Sequence, residues 1–134
     1  EQFRMFPSVD EQLHEGRTVS GSTILWWFGQ DSAAIASQGA AKRSPLVEVR
    51  RELATFLAKY DGSYVLGNAP GFDCDIIGDF LGGKPWKYSN ERDVRTARML
   101  VPQEARFDNK AKHNALADSE AQYYDFVTFL NSAQ

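Results

Sequence analysis

His113 and Asp118 stand five residues apart in H-N-A-L-A-D-S-E-A-Q (His113 to Gln122), just ahead of the chain's last apolar run. An imidazole at the lip of a helix and a carboxylate about a turn and a half further in can face one small site and do acid–base work there. The same spacing fits a helix-start histidine followed by a solvated aspartate, and on spacing alone that plainer reading weighs more. A third candidate, Asp73, closes G-N-A-P-G-F-D (Gly67 to Asp73). On a helix beginning near Phe72 and stepped at ~100° per residue, Asp73 falls between Ile76 and Ile77 on the apolar side, while Asp75 and Asp79 share the wet face. A lone ionised carboxylate there is costly unless it is paired or bound to a metal. Its alternative is a first-turn aspartate stabilised by the helix N-terminus.

The elements that must hold these residues follow from periodicity. Gln2 to Phe6 alternates as a short strand stopped by Pro7, and Asp10 to Glu15 suits one helical turn before Gly16. Ser20 or Ser22 can cap a helix through Ile24, Leu25, Trp26, Trp27 and Phe28. That block is too apolar for a surface helix, so its tryptophans are expected in the core rather than as a base-stacking platform. Asp31 to Gln38 continues as a small Ala-rich helix, and Gly39 to Arg43 is a loop. Ser44-Pro45 opens a helix with one apolar face, Leu46, Val49, Leu53, Phe56, Leu57 and Tyr60. Asp61-Gly62 turns it into a buried strand, Tyr64 to Gly67. Phe72, Ile76, Ile77 and Phe80 are the expected buried stripe of the next helix, and Leu116, Tyr123, Val127 and Leu130 that of the last. Helix, turn, buried strand, Gly-rich loop, helix is α/β grammar.

The whole chain of 134 residues reads as a single domain, 1–134, with no repeat or linker. It has 43% hydrophobic residues and a single cysteine, Cys74, which rules out an internal disulfide and suits a reducing cytoplasm. No run approaches the ~18 apolar residues of a membrane span. Net charge is −3, yet Lys84 to Lys112 holds eight bases against four acids. Such a basic strip on an acidic body suits a polyanion steered to one place. A solvated Lys/Arg-rich loop fits equally well. Zinc chemistry would need His and Cys at close spacing, but His14, Cys74 and His113 are scattered. Ser20-Gly21-Ser22 lacks the pattern of a nucleophile elbow. Gly67 to Gly71 lacks the lysine of a phosphate-binding loop.

Four stretches in register carry a more specific signal: T-I-L-W-W (Thr23 to Trp27), G-N-A-P-G-F-D, P-W-K-Y-S-N-E-R-D-V-R-T (Pro85 to Thr96) and the His113–Asp118 string. Together they resemble the DEDDh family of 3′–5′ exonucleases, in its phage and prophage exodeoxyribonuclease VIII-like branch, related to ribonuclease T and to a group of bacterial exoribonucleases. The resemblance implies a ribonuclease H-like α/β fold, with a central mixed sheet flanked by helices. It implies hydrolysis of phosphodiester bonds at the 3′ ends of single-stranded DNA or RNA, assisted by two Mg²⁺ or Mn²⁺ ions. Asp73 and Asp118 would ligate the metals and His113 would be the base. Asn68 and Phe72 would line the terminal-nucleotide pocket. Arg92 and Arg95 are expected first to pair with Asp93 and second to contact phosphate. A homodimer in the cytoplasm of a bacterial or phage-infected cell is also implied.

The family counts four acids, and two have counterparts here. The Asp-x-Glu of its first strand is expected upstream of Phe3. Asp10 and Glu11 do not replace it, because adjacent residues of a strand point to opposite faces. The segment is therefore expected to be N-terminally incomplete, without its first strands. Half a ligand set should bind metal weakly. The alternative function is a catalytically incomplete fragment, or a module of the same fold that binds nucleic acid or protein.

Overall fold

The computed structural model of the chain describes residues 1–109 and 113–132. The elements run α1 (Val9–His14), α2 (Gly21–Phe28), α3 (Ser32–Gly39), α4 (Leu46–Ala58), β1 (Val65–Gly67), α5 (Pro70–Leu81), β2 (Glu91–Asp93), α6 (Val94–Met99) and α7 (Ala115–Ser132). Short 3₁₀ turns occupy Tyr88–Asn90 and Gln103–Ala105. β1 and β2 pair in parallel, Val65 opposite Glu91 and Gly67 opposite Asp93, with α5 as the crossover between them. A parallel pair joined through a helix is the elementary α/β unit. Among the described residues, this pair is what represents the expected mixed sheet. Gln2 to Phe6 forms no strand. One parallel bridge between Pro7 and Ser44 closes that segment on the entry to α4.

α4 is the best-foretold helix. Leu46 and Val49 are buried, and the first backbone N–H, that of Leu46, donates to Glu11 Oε2 at 2.8 Å, so α1 caps α4. Arg50 then ties three helices together. Its Nε donates to the Phe80 carbonyl at 2.7 Å, its guanidinium lies 4.9 Å from the Phe80 ring centre, and it pairs with Glu15. The contact holds the Glu15 carboxyl below its ordinary range, chiefly through the Arg50 hydrogen bond.

Three apolar expectations are corrected. In α5 the buried residues are Cys74 and Gly78, while Phe72 is 67% and Ile76 42% exposed. The helix lies on β1 and β2 through its small-residue side, where Gly78 admits Lys84: a Cβ there would stand 2.6 Å from Lys84 Cγ. In α7 the inward stripe is Asp118, Ala121 and Asp125, roughly opposite Tyr123 and Leu130, which are 55% and 46% exposed. α6 packs against that inward side and offers a cation to it. The third correction is α2. Ile24, Leu25, Trp26 and Phe28 are 43, 71, 47 and 74% exposed, so this helix is an apolar surface and its tryptophans are not core. None of the described helices is long and apolar enough to cross a membrane.

Candidate active site

The loop between β1 and α5 carries Asn68, and the first turn of α5 carries Phe72 and Asp73. Asp73 Oδ2 accepts the Asn68 backbone N–H at 2.8 Å, and the carboxylate folds back over the strand end. Gly67 permits this: a Cβ at Gly67 would meet Pro70 Cα at 3.1 Å and Asp73 Oδ2 at 3.4 Å. Ala69 sits at φ 90°, a region that costs a non-glycine residue about 1–2 kcal/mol. The surroundings hold it there. Asp93 accepts from the Ala69 backbone and from Thr96 Oγ1 at 2.8 Å and Arg95 N at 2.9 Å. The Thr96 hydroxyl is the largest influence holding the Asp93 carboxyl below its ordinary range, with the Arg95 and Ala69 N–H groups adding to it. Asp73 and Asp93 thus grip successive residues of one loop.

Arg95 reaches the same loop, its Nη2 donating to the Asn68 carbonyl at 3.4 Å. Arg92 turns elsewhere. Its guanidinium lies 4.1 Å from the Tyr64 ring centre and donates to the Ser89 and Glu91 carbonyls at 2.7 and 2.8 Å. The expected pairing of the two guanidinium groups with Asp93 is therefore replaced. Asp93 is occupied as the N-cap of α6 and takes a backbone N–H of Arg95, not its guanidinium.

At the other end of the chain, Asn114 starts α7. Its side chain accepts from Ala117 N at 3.3 Å and its carbonyl from Asp118 N at 2.8 Å. His113 precedes it with φ 65°, a left-handed turn that aims the imidazole back at α2. The imidazole meets Trp26 edge-to-face, centroids 5.1 Å apart, and lies 6.3 Å from Trp27. Asp118 Oδ1 accepts from Asn109 Nδ2 at 2.6 Å. His113, just before α7, and Asp118, in its first turn, are thus each placed by named contacts. Among the described residues, no three His, Cys, Asp or Glu side chains are grouped so as to hold a metal ion.

The basic strip is largely committed to the chain itself. Lys84 binds Asp75 and Glu91 at 2.7 and 2.8 Å, which raises its pKa, Asp75 first. Arg98 Nε lies 2.8 Å from Asp125 Oδ2, though without the alignment of a hydrogen bond. Arg106 donates to the Arg98 and Val101 carbonyls. Lys110 and Lys112, the strip's last two cations, lie outside the described residues.

Two structural roles were missed from sequence, that of Asp93 as helix cap and loop anchor and that of Asp125 as a buried acceptor. Asp93 could have been found from its D-V-R-T setting, in which an aspartate with a threonine three residues on suits a helix cap. Asp125, 1% exposed, also accepts the Phe107 N–H at 2.7 Å, and its signal was a charge set inside an apolar run.

The model of the 3′-5′ exoribonuclease Rv2179c-like domain matches residues 1–128. The chain belongs to this exoribonuclease family. No curated protein and no solved structure matches it. A member of the Rv2179c-like family is a 3′-5′ exonuclease, a hydrolase whose substrate is nucleic acid. In that setting the two grips, on the Asn68–Ala69 loop and on the start of α7, position groups of an exonuclease chain.

Proposed function

We propose that this chain is a DEDDh-type exonuclease of ribonuclease H-like fold, close to the phage and prophage exodeoxyribonuclease VIII-like branch. It removes nucleotides one at a time from the 3′ ends of single-stranded RNA or DNA. The family match over residues 1–128 is the observation that carries this reading. In the proposed reaction water attacks the terminal phosphorus, a new P–O bond forms, and the bond to the neighbouring 3′ oxygen breaks. His113 takes the proton from the water, the general-base role that an imidazole most often fills.

Phe72, at the start of α5 with its ring exposed, and Asn68, held through its backbone N–H and carbonyl, line the terminal-nucleotide pocket. Arg95, with one long contact, is better able than Arg92 to swing to a phosphate. Asp73 and Asp118 are the proposed oxygen ligands for Mg²⁺ or Mn²⁺, the hard cations that carboxylates suit. Such an ion is commonly held by one or two carboxylates, with waters and substrate phosphate completing its oxygen shell, and among the described residues no three acidic, histidine or cysteine side chains are grouped to hold one. When bound, such ions activate water and offset the charge on phosphorus. A homodimer in a bacterial or phage-infected cytoplasm completes the proposal.

Matched, end-labelled RNA and DNA oligomers digested with Mg²⁺ test it. Stepwise shortening from the 3′ end is expected, with His113→Ala slowing it ~10²- to 10⁴-fold at unchanged melting temperature. Cleavage inside the oligomers, or a His113→Ala variant as fast as the parent, would refute it.

A further inference from the structure

Asp93 takes no part in the proposed reaction, yet the loop ahead of α5 is built against it. The pairing of β1 with β2 sets Asp93 opposite Gly67, the residue just before Asn68. Thr96 Oγ1 and the Arg95 N–H fix its carboxylate, which also accepts from the Ala69 backbone N–H. The other side of the Ala69 residue is equally engaged. Its carbonyl accepts from Phe72 N at 2.9 Å and from Asp73 N at 3.2 Å, and so sets the first turn of α5. Ala69 is strained twice over. Its φ of 90° and ψ of 80° lie in the left-handed region that disfavours a side chain, and the following Pro70 narrows its choices further. Such a conformation persists only where its surroundings over-determine it.

We propose that Asp93 is a positioning residue for the 3′-terminal nucleotide: by holding Ala69 in its left-handed conformation it keeps Asn68 and Phe72 set to receive that nucleotide. The proposal rests on those two residues lining the terminal-nucleotide pocket of the exonuclease described above. Without the Asp93 carboxylate, Ala69 relaxes toward negative φ and carries the start of α5 with it. The binding form then becomes scarcer by about 5- to 30-fold, the factor that corresponds to the strain of one such residue. Substrate must restore that form as it binds, so KM rises by the same factor while kcat at saturation stays near the parent's. A plain helix cap behaves differently. Its loss lowers the folded fraction, and with it kcat, at unchanged KM.

The test separates the two jobs of Asp93 with a serine. Asp93→Ser still caps α6, but its single, shorter-reaching oxygen is spent there and gives up the Ala69 N–H. Rates of 3′-end shortening of a labelled single-stranded oligoribonucleotide are measured with Mg²⁺ across substrate concentration, for the full chain and its variants. Asp93→Ser is expected to raise KM by about 5- to 30-fold at near-parental kcat. Adding Ala69→Gly should return KM to within about 3-fold of the parent's, because glycine takes positive φ without strain. Circular dichroism confirms that each protein is folded at the assay temperature, and Asp93→Thr, another short cap, carries the test should the serine variant fail to fold. An Asp93→Ser protein with the parent's KM, or one that loses kcat alone, overturns the positioning role and leaves the exonuclease reading standing. So does a raised KM that Ala69→Gly leaves unrepaired. A parent that shortens no 3′ end refutes the exonuclease reading, and this role of Asp93 falls with it.

Discussion

Asp125→Ala should destabilise the fold by about 2–4 kcal/mol, although the residue lies far along α7 from the motif at its start. The carboxylate is 1% exposed and serves two groups, the Phe107 N–H at 2.7 Å and Arg98 Nε at 2.8 Å. Alanine leaves the backbone N–H without its acceptor, which costs about 1–3 kcal/mol when the group stays dry. The Arg98 side chain is 40% exposed and can rehydrate, so the lost charge contact adds only about 1 kcal/mol. The converse change is worse. Arg98→Ala strands a buried carboxylate, a loss of about 3–5 kcal/mol, so removing the more exposed partner should cost more than removing the buried one. Urea unfolding followed by circular dichroism reads both. With a slope of roughly 2 kcal/mol/M, Asp125→Ala should move the midpoint down by about 1–2 M. A midpoint within ~0.3 M of the parent at unchanged slope, or an Arg98→Ala protein more stable than Asp125→Ala, would refute the reasoning.

Gly78→Ala should destabilise α5 despite alanine's better helix propensity, because the new Cβ would stand 2.6 Å from Lys84 Cγ. In a Lys84→Ala background that obstacle is gone, and the same change should instead stabilise by up to about 1 kcal/mol, a sign reversal visible in a thermal double-mutant cycle. The clasp that Lys84 makes with Glu91 gives a pH signature. Glu91 titrates below its ordinary 4.5, first because Lys84 and then because Trp86 donates to it. Its stabilisation is present above pH 4.5 and is lost as pH falls through the lower folded value. Lys84 is raised above its ordinary 10.5, so its share is whole below that pH and is lost only in stronger alkali. Melting temperature against pH should show an acid decline that is shallower in Glu91→Gln, with the difference flat from about pH 6 to pH 10.

The elements were legible wherever local chemistry decides them. Ser44-Pro45 opened α4 one residue early, Asp31 capped α3, and the break after β1 was foreseen, although α5 begins at Pro70, two residues before the expected start near Phe72. The rotation of the helices was not. Hydrophobic periodicity finds the apolar side of a helix, and it selected Phe72 and Ile76 in α5 and Tyr123 and Leu130 in α7, all exposed. The inward sides are built instead from small residues and paired charges. Cys74 and Gly78 let the sheet and Lys84 approach, and Asp125 is buried because Arg98 and the Phe107 N–H meet it. A partner supplied by another element is invisible to a pattern read along one helix.

The candidate site shows the same division more sharply. Its motifs named Asp73 and Asp118 from the order of residues, and each proves to accept an N–H group close by in the chain, from Asn68 and Asn109. Those bonds fix the orientation of both carboxylates before any ligand arrives. Among the described residues the second oxygen of each accepts no hydrogen bond, and a carboxylate has about four acceptor positions. Asp93, by contrast, has three of its positions taken by Thr96, Arg95 and Ala69, and it holds both the loop and the start of α6. Three aspartates of one composition therefore have different capacities for chemistry, set by how many of their lone pairs the backbone has already taken. By that criterion Asp73 and Asp118 keep more room for a ligand than Asp93 does, a distinction that spacing in the sequence does not contain.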